Sequence, residues 1–204
     1  MKCDITLPIR PDSSDSAHPL PGLSNKAVIF KKHFRYPNCD IHLRPFCIST
    51  DMPVVCNWAW KTNYAAELIA ASYIYTSESS FARSYMAVIN NSIPFCEVDI
   101  CHASQDELCD HFPTTKGDYV LRLLLSGKRI SRPILLNLIQ TCLEYFFSQP
   151  GIEKIYVEGE VDNTRYHQLL IKSGFRFQQK VYQSYKTSNL YYCNRGNIKK
   201  NRIV

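Results

Sequence analysis

Glu158 closes the β-patterned run Ile155 to Val157 and stands just ahead of Asp162-Asn163. A carboxylate at a strand end is open to a ligand and can serve as a general base; a surface salt bridge is the alternative. Arg122 interrupts the apolar run Tyr119 to Leu125. Its guanidinium stays protonated at any working pH, so it holds or polarises a partner and cannot be a base. Burying it is costly unless it is paired, and Glu158 on the neighbouring strand is the expected partner. His111 offers an imidazole that titrates near neutrality, or simply a surface side chain. Glu97 alternates with Val98 on a strand, which fits either a base or a solvent-facing carboxylate. The loop Ser126-Gly127-Lys128-Arg129-Ile130-Ser131-Arg132 combines three cations with a glycine directly before a helix. Backbone N–H groups at a helix N-terminus attract phosphate, although Pro133 has no N–H to give. A solvated basic connection is the alternative.

These residues need a scaffold of strands and helices. Residues 1–25 carry Pro8, Pro11, Pro19 and Pro21 among Ser and Asp and read as an extended or disordered lead-in. Strands are expected over 26–34 and 40–46 around the turn Tyr36-Pro37-Asn38, followed by helical stretches from Asp51 through Trp58 and Trp60 and from Tyr64 to Tyr73. Residues 84–89 and 93–100 form a hairpin about Asn90-Asn91-Ser92. An irregular segment spans 101–117. Tyr119 to Leu125 then reads as a central strand covered on both faces. Ile134, Leu135, Leu138, Ile139, Cys142, Leu143, Phe146 and Phe147 repeat at helical spacing between Pro133 and Pro150-Gly151. A strand at Tyr156 and Val157 leads through Asn163 into a helix stopped by Ser173-Gly174, and two strands close the chain. The order is ββαα, a hairpin, βα, βα and ββ: a mixed α/β sheet in one domain.

At 204 residues the chain fits one domain over 26–195 and a basic C-terminal tail over 196–204. The net charge of +6 comes partly from that tail, so a nucleic-acid partner is not indicated. Nine cysteines without CxxC spacing read as reduced, buried thiols and not as a disulfide framework or a metal site. The N-terminus lacks the apolar run of a signal peptide, and no stretch is long enough to span a membrane, so a cytoplasmic location is expected.

From about Ile41 to Arg195 the chain resembles the GNAT superfamily of N-acyltransferases, and within it the siderophore-biosynthesis branch that acylates N-hydroxylated or primary amines. The resemblance rests on LRPF with DMPVVCNW (Leu43 to Trp58), PFCEVD (Pro94 to Asp99), ASQDELCDHF (Ala103 to Phe112) with Gly117-Asp118, the Asp118-x-x-x-Arg122-Leu-Leu-Leu strand, and VEGEVDN (Val157 to Asn163) with the later SGF and Lys186. It implies the single-domain GNAT fold, whose splayed central sheet takes acetyl-CoA or a longer acyl-CoA, with no metal. It implies a catalytic role for Glu158, Arg122 and His111, Arg122 standing where the family has His. Leu123, Leu124 and Leu125 would face the pantetheine arm, which adds to the strand edge like an extra strand. Gly127, Lys128, Arg129, Arg132 and Asn163 would complete the cofactor site. Trp58, Glu97, Asp118 and Lys186 would line the acceptor site, with Trp60, Tyr64 and Tyr73 as possible walls or plain core. Leu170 takes the place of the superfamily's thiolate-protonating Tyr. The implied partners are acyl-CoA and a small amine or hydroxylamine, for a monomer or homodimer. Two other readings stay open: a catalytically degenerate acyl-CoA-binding or interaction protein, and an aminoglycoside or protein N-acetyltransferase, which acidic cleft lining would favour.

Overall fold

The computed structural model describes residues 27–61, 79–127, 130–183 and 186–200. One eight-stranded mixed sheet runs through them in the order β1-β2-β3-β4-β5-β6-β8-β7. β1 (Phe30–Arg35) and β2 (Asn38–Pro45) form a hairpin about the cis Tyr36-Pro37 bond. β3 (Ala82–Ile89) and β4 (Ile93–His102) form the second, turning at Asn90 and Asn91. Both asparagines have positive φ, a conformation that Asn adopts more easily than most residues. β5 (Asp118–Leu125) lies antiparallel to β4 and parallel to β6 (Lys154–Glu160). β8 (Thr187–Asn194) enters between β6 and β7 (Arg176–Tyr182).

The helices divide between the two faces. α2 (Arg132–Ser148) and α3 (Thr164–Lys172) join the larger core with Tyr85, Ala87, Cys96, Val98, Ile100, Leu121 and Val157. α1 (Ile48–Lys61) packs Val55 and Trp58 against Met86 and Val88, which alternate with Tyr85 and Ala87 and so lie on the opposite face. Asp51 fixes the start of α1: it accepts from the Cys47 N–H at 2.8 Å and from both guanidinium nitrogens of Arg44 at 2.6 Å. The expected helix from Tyr64 to Tyr73 lies outside the described residues, as do residues 1–25.

Several boundaries differ from the sequence reading. α1 begins at Ile48, ahead of Asp51, because that carboxylate reaches back to the Cys47 amide. The segment 101–117 holds two short 3₁₀ turns, residues 103–105 and 107–111, with Asp106 between them accepting from the Leu108 N–H at 3.0 Å. The C-terminal tail starts as a short helix, α4 (Arg195–Lys200), whose Arg195 donates to the carbonyls of Phe147, Gln149 and Ile152.

Candidate active site

β5 and β6 pair over three residues only, Asp118, Tyr119 and Val120 against Lys154, Ile155 and Tyr156. Beyond Val120 and Tyr156 the strands part. Leu121 to Leu125 keep their antiparallel partners on β4 and have none on the β6 side. The unpaired edge is a row of backbone donors and acceptors open to an extended ligand. Leu123, Leu124 and Leu125 all lie on it and are half-buried. At its end the Ser126 N–H still bonds the Phe95 carbonyl at 3.0 Å, whereas the buried Ser126 hydroxyl has no partner among the described residues. Gly127 follows with φ 68°, which turns the chain toward α2. Ser131 makes no side-chain cap on α2, so the first-turn amides remain for another acceptor. Lys128 and Arg129 lie outside the described residues.

On the α1 face of the sheet, register sets a row of polar side chains beside the opening. Asp99 of β4 faces Ser84 of β3 and Arg122 of β5; Glu97 faces Met86 and Leu124. Glu97 is 3% exposed, and Trp58 and Leu124 belong to the apolar cluster on this face. Burial pushes the Asp99 carboxyl up, against hydrogen bonds with Ser84 and Glu97 and the charge of Arg122 that pull it down. Its Oδ1 is buried without a hydrogen-bond partner. Two carboxyl groups bonded to each other need a proton between them, so this pair titrates as a unit. Asp99 was not singled out in the sequence. The signal was its i, i+2 spacing from Glu97 in PFCEVD, which puts both on one face of a strand.

Arg122 does not pair with Glu158. Its guanidinium forks onto Asp106, with Nη2 at 3.0 Å from Oδ1 and Nη1 on Oδ2, and lies 3.5 Å from Glu107. Asp106 is the better partner because it is buried and already fixed as the cap of the second 3₁₀ turn. The Arg122 side chain is 43% exposed, so this face of β5 is not covered as a central strand would be. Glu158 bonds the Ser188 hydroxyl and lies 3.0 Å from Lys186 Nζ, both on the β8 side. Lys186 therefore reaches the cleft as the counter-ion of Glu158.

The remaining residues separate. His111 ends the second 3₁₀ turn, where its carbonyl accepts from Gln179 Nε2 at 2.8 Å. Asp118 sits at the closed end of β5; it is 2% exposed, accepts from the Thr115 N–H at 2.9 Å and lies 3.9 Å from Lys154 Nζ. It holds the loop before β5 and stands four residues from Arg122, away from the opening. Asn163 caps α3 by accepting from the Tyr166 N–H at 3.1 Å. Leu170 is fully buried, in the core. One turn nearer the opening, Tyr166 presses on Gly159, where an added Cβ would come within 3.1 Å of its ring. Burial, with the thiols of Cys96 and Cys142 nearby, raises the Tyr166 phenol, which stays protonated. Gly159 beside Tyr166 in a strand-then-helix unit is the sequence signal that Leu170 obscured.

The sequence model of the Acetyltransferase (GNAT) domain family matches residues 50–182. The chain belongs to this family. Among solved structures, an uncharacterized protein from Bacillus halodurans superposes with TM-score 0.74 at 17% identity, over 84% of this chain and 92% of its own. The aminoglycoside acetyltransferase AAC(6')-Ib, in complex with coenzyme A and kanamycin, gives 0.69 at 17% identity over 79% and 99%. A spermidine N-acetyltransferase chimera from Vibrio cholerae and hSSAT gives 0.63 at 13% over 78% and 98%. At these identities the likeness is one of fold. No curated protein matches the chain in sequence. Among the described residues no helix is long and apolar enough to cross a membrane, and no cluster of His, Cys, Asp and Glu is arranged to hold a metal.

Proposed function

We propose that this GNAT protein transfers an acyl group from acyl-CoA to a small amine that binds as a cation. The observation that carries the reading is the parting of β5 from β6 beside the buried Glu97 and the half-buried Asp99. The pantetheine arm fits the free edge at Leu123 to Leu125, and the pyrophosphate fits the uncapped start of α2 with Gly127 and Arg132. The thioester then lies over the opening. An ammonium must lose a proton before nitrogen can attack, and the singly protonated carboxyl pair accepts it. The C–N bond forms, the C–S bond breaks, the Tyr166 phenol is the candidate proton donor to the departing thiolate, and the second proton shed by the nitrogen restores the phenol. Glu158, paired with Lys186, orients the acceptor from the β6 side.

Charge supports the class of acceptor. Among the described residues Glu97, Asp99 and Glu158 lie about the opening, Lys186 is paired with Glu158, and Arg122 is committed to Asp106 and Glu107. It is thus not available to anchor an anionic acceptor, and a polycation suits the cleft. Kanamycin, bound in one structural neighbour, and spermidine, for which another is named, are of that class. An N-hydroxylated amine of siderophore assembly is the second reading, favoured by the motif order and by the apolar wall at Trp58 and Leu124.

Thiol release from acetyl-CoA in the presence of polyamines, aminoglycosides and N-hydroxylated amino acids tests the assignment. Turnover with a polycation is expected; turnover only with the hydroxylamines would favour the siderophore reading. Acetyl-CoA binding with no transfer to any amine would mark a degenerate acyl-CoA-binding protein.

A further inference from the structure

The opening between β5 and β6 holds an amine of the chain's own. Lys186 Nζ lies 3.0 Å from Glu158 Oε1, which also accepts from the Ser188 hydroxyl. Glu158 stands two residues past Tyr156, the last residue of β6 paired with β5, so this contact is made where the sheet has parted. The β7–β8 turn sets the lysine there: the Gln183 N–H donates to the Lys186 carbonyl at 2.9 Å, and β8 starts at the next residue. The Lys186 side chain is 34% exposed and that of Glu158 13%, which puts the pair at the inner edge of the cleft and not on the open surface. Other lysines form their ion pairs elsewhere, Lys31 and Lys32 on β1 with Asp40 and Glu144, and Lys154 at the closed end of β5 with Asp118.

A primary ammonium on this carboxylate is of the same chemical class as the acceptor. Lys186 fills the acceptor's place on Glu158 when no amine is bound. A thioester lying over the opening then meets an amine from the same chain, and the tether removes the entropic cost of bringing two molecules together. Resting on the acyl-CoA reading, we propose that Lys186 is a self-acylation site, which takes the acyl group from bound acyl-CoA when no acceptor is present. The Nζ–C bond forms and the C–S bond breaks. Of the three ammonium protons, one stays on the amide nitrogen, one passes to Glu158 and then to water, and one leaves on the coenzyme A thiol. The amide carries no charge, so acylation removes the counter-ion of Glu158. An ion pair of purely structural use would leave Lys186 no more reactive than a surface lysine.

The test is intact-mass and peptide-mapping mass spectrometry of the full chain incubated with acetyl-CoA and no added amine, at several protein concentrations. A parallel incubation uses S-acetyl-N-acetylcysteamine, a thioester without the nucleotide, and calorimetry checks that acetyl-CoA binds. One acetyl group per chain is expected, on Lys186, at least about tenfold faster than on any other lysine, because only this amine reacts from within the cleft. The rate constant should not change with protein concentration, as an intramolecular transfer requires. The small thioester should show no preference for Lys186, and Lys186→Arg, which keeps the charge, should lose the fast labelling by acetyl-CoA. Lys186 left unmodified while acetyl-CoA is bound, label spread evenly over the lysines, or a rate constant that rises with protein concentration would overturn the self-acylation site. Turnover of a polyamine by a chain that never labels at Lys186 would overturn it and leave the acyl-CoA reading standing. Failure of acetyl-CoA to bind would overturn that reading and the inference with it.

Discussion

Arg122 and Glu158 stand two residues beyond the last pair of β5 and β6, at corresponding heights on parallel strands, and do not meet. Each turns to its own side, Arg122 to Asp106 and Glu158 to Lys186 and Ser188. They stand apart where the sheet opens, each with its own partners.

Arg122 neutralises a buried carboxylate. Arg122→Met should strand Asp106, which is 6% exposed, and cost about 1–3 kcal/mol by chemical denaturation. The cost stays at this level because water reaches the arginine. The Michaelis constant for the acceptor should change little. A well-folded Arg122→Met with normal stability and a greatly raised acceptor constant would assign Arg122 to substrate binding.

We propose that Glu158 acts on the acceptor. In Glu158→Gln the acceptor Michaelis constant should rise about tenfold while that for acetyl-CoA stays put, since an ion pair with the bound ammonium is lost and the donor edge is untouched. Steady-state kinetics with each substrate varied separately decides it.

Asp99 sets a pH dependence whose sign is fixed by burial. Its folded-state carboxyl titrates above the ordinary value of 3.8, so between that value and the folded one the native state binds the proton more tightly than the unfolded chain. Its contribution to stability is present below pH 3.8 and falls as pH rises through the folded value. Asp99→Asn should remove this loss, and its stability relative to wild type should climb across the same range in urea denaturation at stepped pH. A flat difference would mean that Asp99 titrates normally.

Gly159 makes room for Tyr166. In Gly159→Ala the new methyl would lie 3.1 Å from the Tyr166 ring and 3.2 Å from His167 Cε1, and should cost about 1–3 kcal/mol unless the ring moves. Tyr166→Phe keeps the packing and should lower turnover while leaving the melting temperature near wild type. Equal turnover in Tyr166→Phe would leave the thiolate to solvent.

The units on either side of the opening were legible because their signals are local. Apolar spacing marked α2, Asn163 marked the start of α3, and Gly174, with φ 97° and Phe175 buried behind it, marked its end. The insertion of β8 between β6 and β7 has no local signature. The partner of Arg122 was missed for a related reason. Sheet topology pointed to Glu158, but Asp106, in a segment without periodicity, is carried there by the 3₁₀ turns that follow β4. Asp99 stayed hidden because alternation in PFCEVD gives a face without saying whether that face is dry.

The most direct test of the account is turnover of Glu97→Gln with acetyl-CoA and a polyamine, measured beside acetyl-CoA binding by the same protein. If Glu97 and Asp99 take the ammonium proton, turnover should fall about 10²-fold or more while acetyl-CoA affinity is unchanged. Undiminished turnover in folded Glu97→Gln, with Glu158→Gln inactive, would contradict it and return the proton to the β6 side of the opening.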